Sequence, residues 1–201
     1  MKRAFDIVAA TALLLLLSPL LLIAAIVVGL DSPGPALFRQ RRLGQDREPF
    51  EMLKFRSMYR DVSPDVHRAY IAQLAQEGYA GNPGELHKLT GDERVTRSGR
   101  LLRRTSLDEL PQLLNVLLGD MSLVGPRPAV EYELEHYRPP DYDRFLVRPG
   151  MTGLWQVSGR ARLGLREMLV LDLEYAHHWS LRLDAKILLG TPAAVIGNRT
   201  A

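Results

Sequence analysis

Cysteine is missing from all 201 residues. That excludes disulfide frameworks, cysteine nucleophiles and thiolate metal sites, and leaves oxygen or imidazole as the only ligands for a metal. Aromatic residues are scarce at 7%, and acids interrupt the basic residues, so the stacking surfaces and unbroken basic stripes of a nucleic-acid binder are not there. The sequence holds no internal repeat and no low-complexity tract. His177 and His178 are adjacent, point apart, and have no histidine three or four positions on, so they make no metal site. Charge of either sign is absent from Ile7 to Leu30, "IVAATALLLLLSPLLLIAAIVVGL".

What is present otherwise reads as one globular unit. Hydrophobic residues make up 46%, charged ones 24%, and the net charge of +3 gives a mild bias toward anionic partners. The uncharged run is long enough for a membrane segment. It exceeds the roughly 7 to 15-residue core of a signal peptide, and no small-x-small cleavage site closes it. Ser18 and Pro19 stand at its middle, where a proline removes a helix hydrogen bond and crowds the preceding turn, so a sharp bend is expected. Each arm is then about 12 residues, or about 18 Å, enough to reach the midplane of a roughly 30 Å hydrocarbon core and return. Both flanks are basic, Lys2 and Arg3 before, Arg39, Arg41 and Arg42 after, and such flanks prefer the cytoplasmic side. Two readings stand: a re-entrant hairpin bent at Ser18-Pro19 in a single leaflet, or a Pro-kinked spanning helix in which Ser18 and neighbouring backbone repair the lost bond.

The predicted class is α+β: a membrane helix over 1–35 and a mostly helical domain over 36–201. "DSPGP" is a turn, and "ALFRQRRLG" and "FEMLKFRSM" alternate as strands do, so they form a β-hairpin around "QDREP". The less patterned 61–90 reads as a peripheral insertion with a helix near Pro64 to Gln76. Helices are expected at Leu165 to Trp179 and Leu181 to Leu189, the second apolar enough to lie on a core or a membrane surface.

The chemistry-bearing residues crowd the centre. Arg94, Arg97, Arg100 and Arg103 recur every third position and form one drifting helical face, which suits solvent or phosphates. "SLDELP" then sets Asp108 beside Glu109. Ser106 and Glu109 have capping-box spacing, and Asp108 could equally be an N-cap, with Pro111 in the first turn. Residues i and i+1 do not share a helix face, so the two carboxylates should divide their work, one toward a site and the other toward a metal, a proton or a helix end. An ionised aspartate attacks phosphorus only where the negative charge on its target is first neutralised. "GDMSLVGPRP" ends the helix at Gly119 and holds Arg127 between Pro126 and Pro128, a fixed guanidinium suited to phosphate. "VRPGMTGLWQVSGR" brings Arg148 and Arg160 into glycine-rich loops, with Trp155 and Gln156 placed to stack on or bond a base, or simply to pack.

In this order, "KRAFDI", Ser18-Pro19, "FEMLKFRSM", "RRTSLDELPQLLNVLLGDMSLVGPRP", "RPGMTGLWQVSGR" and "WSLRLDAKIL" resemble, nearly end to end, the bacterial sugar transferase family, the monotopic phosphoglycosyl transferases. The resemblance implies transfer of a sugar-1-phosphate from a UDP-sugar to undecaprenyl phosphate, with release of UMP, as the first membrane step of exopolysaccharide or O-antigen assembly. It makes Asp108 the nucleophile of a covalent phosphosugar intermediate, with Mg²⁺ near Asp108 and Glu109. It makes Arg103 and Arg127 phosphate ligands and Ser18-Pro19 the bend of a re-entrant helix. It places the enzyme at the cytoplasmic face of the bacterial inner membrane, with a homodimer among the compatible assemblies. Larger members carry further N-terminal membrane helices and another domain, so only the catalytic unit is expected here. "GLWQVSGR" looks more like members that use galactose or glucose phosphate. Two alternatives remain: a metal-dependent diphosphate hydrolase, and a non-catalytic basic module docked on anionic lipid.

Overall fold

The computed structural model describes residues 1–59, 65–76, 94–159 and 163–197. Helix α1 covers Lys2–Asp31. It is followed by an antiparallel hairpin of β1 (Leu37–Leu43) and β2 (Pro49–Phe55), with Gln40 opposite Met52. Helices α2 (Asp65–Gln76), α3 (Arg97–Thr105) and α4 (Gln112–Leu118) come next. Strand β3 (Ser122–Val124) pairs in parallel with β4 (Gly150–Thr152), and α5 (Leu154–Ser158), α6 (Leu165–His177) and α7 (Leu181–Gly197) close the chain. This is the expected mixture of helices with small sheets. The hairpin turn needs left-handed backbone at Asp46 (φ 54°) and Arg47 (φ 65°).

Helix α1 stays helical through Pro19, so the bend expected at Ser18-Pro19 does not take the form of a break between two helices. Proline has no N–H to give the carbonyl of Leu15, four residues back. The Ser18 hydroxyl supplies a donor instead, 2.8 Å from the Leu15 oxygen. The middle of the helix is bare, with Leu15, Leu16, Leu22 and Ile23 all exposed, and α1 is the one helix among the described residues long and apolar enough to cross a membrane. A soluble protein would not leave such a surface to water.

Both ends of α1 are fastened to the same body. At the start, Asp6 accepts hydrogen bonds from the Ser122 hydroxyl (2.9 Å) and the Leu123 amide (3.1 Å). Lys2 pairs with Asp184 at 2.6 Å. Arg3 donates to the carbonyls of Val116 and Leu117, which end α4 and have no partner within their own helix. At the finish, Asp31 accepts from the amide (2.8 Å) and hydroxyl (2.7 Å) of Ser98 at the start of α3. Buried Arg56, just after β2, donates to the carbonyls of Val28, Ser32 and Pro33 and so caps the C-terminus of α1. Apolar contacts follow the same division: Ala10 packs with Leu113, Val116 and Ile187, while Ala24 and Val28 pack with Phe55 and Leu102.

Helix α7 runs beyond the expected end at Leu189. It continues through Gly190 and Pro192 to Gly197; the Thr191 hydroxyl bonds the Ile187 carbonyl, and the helix packs against α5 at Val157.

Candidate active site

The joint between α3 and α4 is not the capped helix start that the spacing suggested. Ser106 adopts the left-handed conformation (φ 57°), ends α3, and makes no side-chain cap bond. Residues Leu107–Glu109 form one turn of 3₁₀ helix, and Pro111 is the N-cap of α4. Neither the Ser106–Glu109 capping box nor an Asp108 N-cap is formed. The reason is that α3 and α4 are separate helices, each packed against a different part of α1, and the chain must turn between them. Gly119 does end α4, with φ 103°.

That turn separates the two carboxylates. Asp108 is 5% exposed, whereas Glu109 is half-buried and faces Lys54 of β2 at 3.4 Å. Asn115 fixes the spacing between α4 and β2: its Oδ1 accepts from the Leu53 amide (2.9 Å) and its Nδ2 donates to the Glu51 carbonyl (2.7 Å). Neither Lys54 nor Asn115 was singled out in the sequence. The visible signal for Asn115 was a lone amide in the apolar run "QLLNVLL". No group of three or more His, Asp or Glu suited to a metal occurs among the described residues. Two adjacent carboxylates alone fit Mg²⁺ shared with substrate phosphates and water, and do not fit an all-protein cage.

The second half of the site is the turn from Gly125 to Pro128. The Gly125 amide donates to Thr152 O at 2.9 Å and the Gly150 amide to Pro126 O at 2.8 Å. The glycines in "GPRP" and "RPGMTG" are therefore required by close approach: a Cβ on Gly125 would lie 2.3 Å from Arg148 O, and one on Gly150 would lie 2.0 Å from Gly125 N. Arg127 projects from this turn, 30% exposed, and its Nη1 bonds the buried Glu133 carboxylate at 3.0 Å. Buried Arg42 donates to Pro128 O at 3.0 Å, and buried Arg144 donates to Arg127 O at 2.7 Å and to Asp172 Oδ2 at 2.6 Å. Burial would raise the Glu133 carboxyl, but Arg127, Arg42 and Arg144 together hold it below the ordinary carboxylate range. Burial and the like charge of Arg127 pull Arg42 down to about 9. Through its bond to Pro128 O, Arg42 sits directly against the turn that carries Arg127. Arg42 was visible in the sequence only as a basic flank, and Glu133, Arg144 and Asp172 not at all, because partners this far apart along the chain leave no spacing to read.

Of the other expected site residues, Arg103 occupies the last turn of α3, next to the turn that carries Asp108. The backbone of Arg148 adjoins Gly125, and its side chain is half-buried. Trp155 is a core residue, 4% exposed among Ile71, Leu165, Met168 and Leu169. This burial supports the packing role that the sequence left open beside a platform for a base. Gln156 is half-buried, and its Nε2 donates to Met151 O at 3.4 Å. Arg160 and most of 61–90 lie outside the described residues. His177 pairs with Asp143 at 3.0 Å and His178 with the Glu174 carbonyl at 3.1 Å, both exposed.

Comparison with known proteins extends over the whole arrangement. A model of the family described as bacterial sugar transferase matches residues 1–198. The UDP-glucose:undecaprenyl-phosphate glucose-1-phosphate transferase of Caulobacter vibrioides is 46% identical over 97% of this chain and 69% of its own. The undecaprenyl-phosphate galactose phosphotransferase of Salmonella typhimurium is 43% identical over 98% of this chain and 40% of its own. The exopolysaccharide production protein ExoY of Rhizobium meliloti is 39% identical, over 98% and 86% respectively.

Proposed function

Because the chain belongs to the bacterial sugar transferase family, we propose that it is a phosphoglycosyl transferase. It passes a hexose-1-phosphate, glucose or galactose by likeness to its relatives, from a UDP-sugar to undecaprenyl phosphate and releases UMP, opening exopolysaccharide or O-antigen assembly. The observation that carries this reading is the pair Asp108 and Glu109 on a rigid turn between two clamped helices, with Lys54 beside it. A carboxylate oxygen of Asp108 attacks the sugar-bearing phosphorus, the bond from that phosphorus to the bridging oxygen breaks, and UMP leaves with the electron pair. An oxygen of the lipid phosphate then attacks the same phosphorus and frees the Asp108 carboxylate. Arg103, Arg127, Arg148 and Arg160 grip phosphate oxygens and disperse their charge. Asp108 and Glu109 would hold Mg²⁺, and the chemistry it would supply is further neutralisation of phosphate charge.

The lipid phosphate is confined to the interface, so the catalytic body must be anchored there. Lys2, Arg3 and Asp6 at one end of α1 and Asp31 at the other all bond the same body, which favours both ends on one side of a bilayer. This supports α1 entering and leaving one leaflet, with the catalytic domain on the cytoplasmic face of the inner membrane.

The test is UMP release from UDP-glucose and UDP-galactose with undecaprenyl phosphate and Mg²⁺, for wild type and Asp108→Asn. Lipid-dependent release in the wild type and loss of at least about a thousandfold in Asp108→Asn, the scale for removing a covalent nucleophile, is the expected result. Release that needs no lipid phosphate would make the protein a hydrolase. Undiminished release from Asp108→Asn would remove Asp108 from the chemistry.

A further inference from the structure

We propose that Glu133 is a positioning residue for Arg127, setting the direction in which its guanidinium meets a substrate phosphate. The inference rests on the phosphate-gripping role proposed for Arg127. Four observations carry it. First, Glu133 is 2% exposed, and a carboxylate is rarely taken out of water unless its charge is answered on the spot. Second, the answer is asymmetric. Glu133 engages Nη1 of Arg127 at 3.0 Å, and a guanidinium has five N–H donors in a planar fork, so among the described residues Glu133 leaves Nη2 and Nε for a ligand while tethering the group at one end. Third, Glu133 is itself held. Its Oε2 accepts from the Tyr137 hydroxyl at 3.4 Å, and Arg144 bonds both that hydroxyl and the Arg127 carbonyl. One buried guanidinium therefore ties the backbone of Arg127 to the residue that aims its side chain.

The fourth observation is exposure. Of Arg42, Arg127, Arg144, Glu133 and Asp172, only Arg127 has substantial exposure, so the guanidinium that Glu133 holds is the one in this cluster that a substrate phosphate can reach. Neutralising Arg127 and aiming it are different roles, and they move the kinetic constants differently. If Glu133 merely weakened the cation, removing its charge would tighten UDP-sugar binding and leave turnover intact. If it aims the cation, turnover suffers, because a misplacement of about 1 Å at a reacting group can cost on the order of a hundredfold.

The experiment compares Glu133→Gln, Arg127→Ala and the double variant with wild type, in detergent with UDP-sugar and undecaprenyl phosphate, after thermal melting has shown each to be folded. For Glu133→Gln, kcat is expected to fall by about 10- to 100-fold with KM for the UDP-sugar changed by less than about threefold. In the Arg127→Ala background the same substitution is expected to change nothing further, because it acts through Arg127. If Arg127→Ala is impaired but Glu133→Gln keeps the wild-type kcat, or lowers KM alone, the positioning role is overturned and the reading of Arg127 survives. If Arg127→Ala turns over as fast as wild type, the reading of Arg127 itself falls. Should Glu133→Gln not fold, Glu133→Asp takes its place: it keeps the charge but withdraws it by one methylene, so it must show the same kcat loss, and a wild-type kcat would overturn the proposal.

Discussion

Gly150 shows how little room the site allows its backbone. A single methyl there would overlap the Gly125 amide at 2.0 Å, and overpacking of this kind typically costs about 1 to 3 kcal/mol. Gly150→Ala is expected to lose at least that much in chemical denaturation and to disturb the turn that carries Arg127, lowering turnover as well. Trp155 separates stability from binding at the same scale. Truncation to Ala should cost about 3 to 5 kcal/mol as a core deletion, while Trp155→Phe should leave KM for the UDP-sugar unchanged. A KM rise in a normally stable Trp155→Phe would restore the nucleotide platform that burial among Ile71, Leu165 and Met168 argues against.

The decisive element is α1, held by carbonyl caps at one end and a buried aspartate at the other. Arg56→Met removes the donor to the Val28, Ser32 and Pro33 carbonyls, and each buried polar group left without a partner costs about 1 to 3 kcal/mol. A fall of a few kcal/mol in detergent-solubilised stability is therefore expected, with the N-terminal half of α1 still docked through Asp6. Replacing Ser18-Pro19 by Ala-Ala tests topology. Terminal labelling should find both ends on one side in the wild type and on opposite sides in the variant, and opposite sides from the start would sink the single-leaflet reading. Proline alone specifies a weakened point, and whether that point becomes a turn depends on what holds the two ends.

For the molecule as a whole, the buried pair Arg144 and Asp172 links the Gly125–Pro128 turn to α6. Burial pushes the Asp172 carboxyl up to about 6 against the pull of Arg144, from an ordinary 3.8. The folded state therefore binds the proton more tightly than the unfolded chain. The stability this contributes is full below about pH 4 and is lost as pH rises through about 6. Asp172→Asn cannot titrate, so the stability of wild type relative to that variant should decline between pH 4 and 7 and then level off, as measured by urea titration at each pH. A flat difference would mean that Asp172 keeps an ordinary pKa in the fold. Arg144→Met, which strands the Asp172 charge, should cost about 3 to 5 kcal/mol at neutral pH.

The sequence by itself determined the long apolar helix, the β-hairpin, the stop at Gly119 and the central run from Arg103 to Pro128, because each is written in contiguous residues: an uncharged stretch, a two-residue alternation, a glycine after a helix, an unusual string of motifs. Tertiary structure decided the rest. Ser106 and Glu109 have the spacing of a cap, yet α3 and α4 dock on different parts of α1, and the joint became a left-handed turn instead. Trp155 sits in a loop-like motif, yet the packing of α6 enclosed it. The buried charges at positions 42, 133, 144 and 172 are scattered over the chain, and electrostatic pairing acts through space. Only folding could show that they surround Arg127.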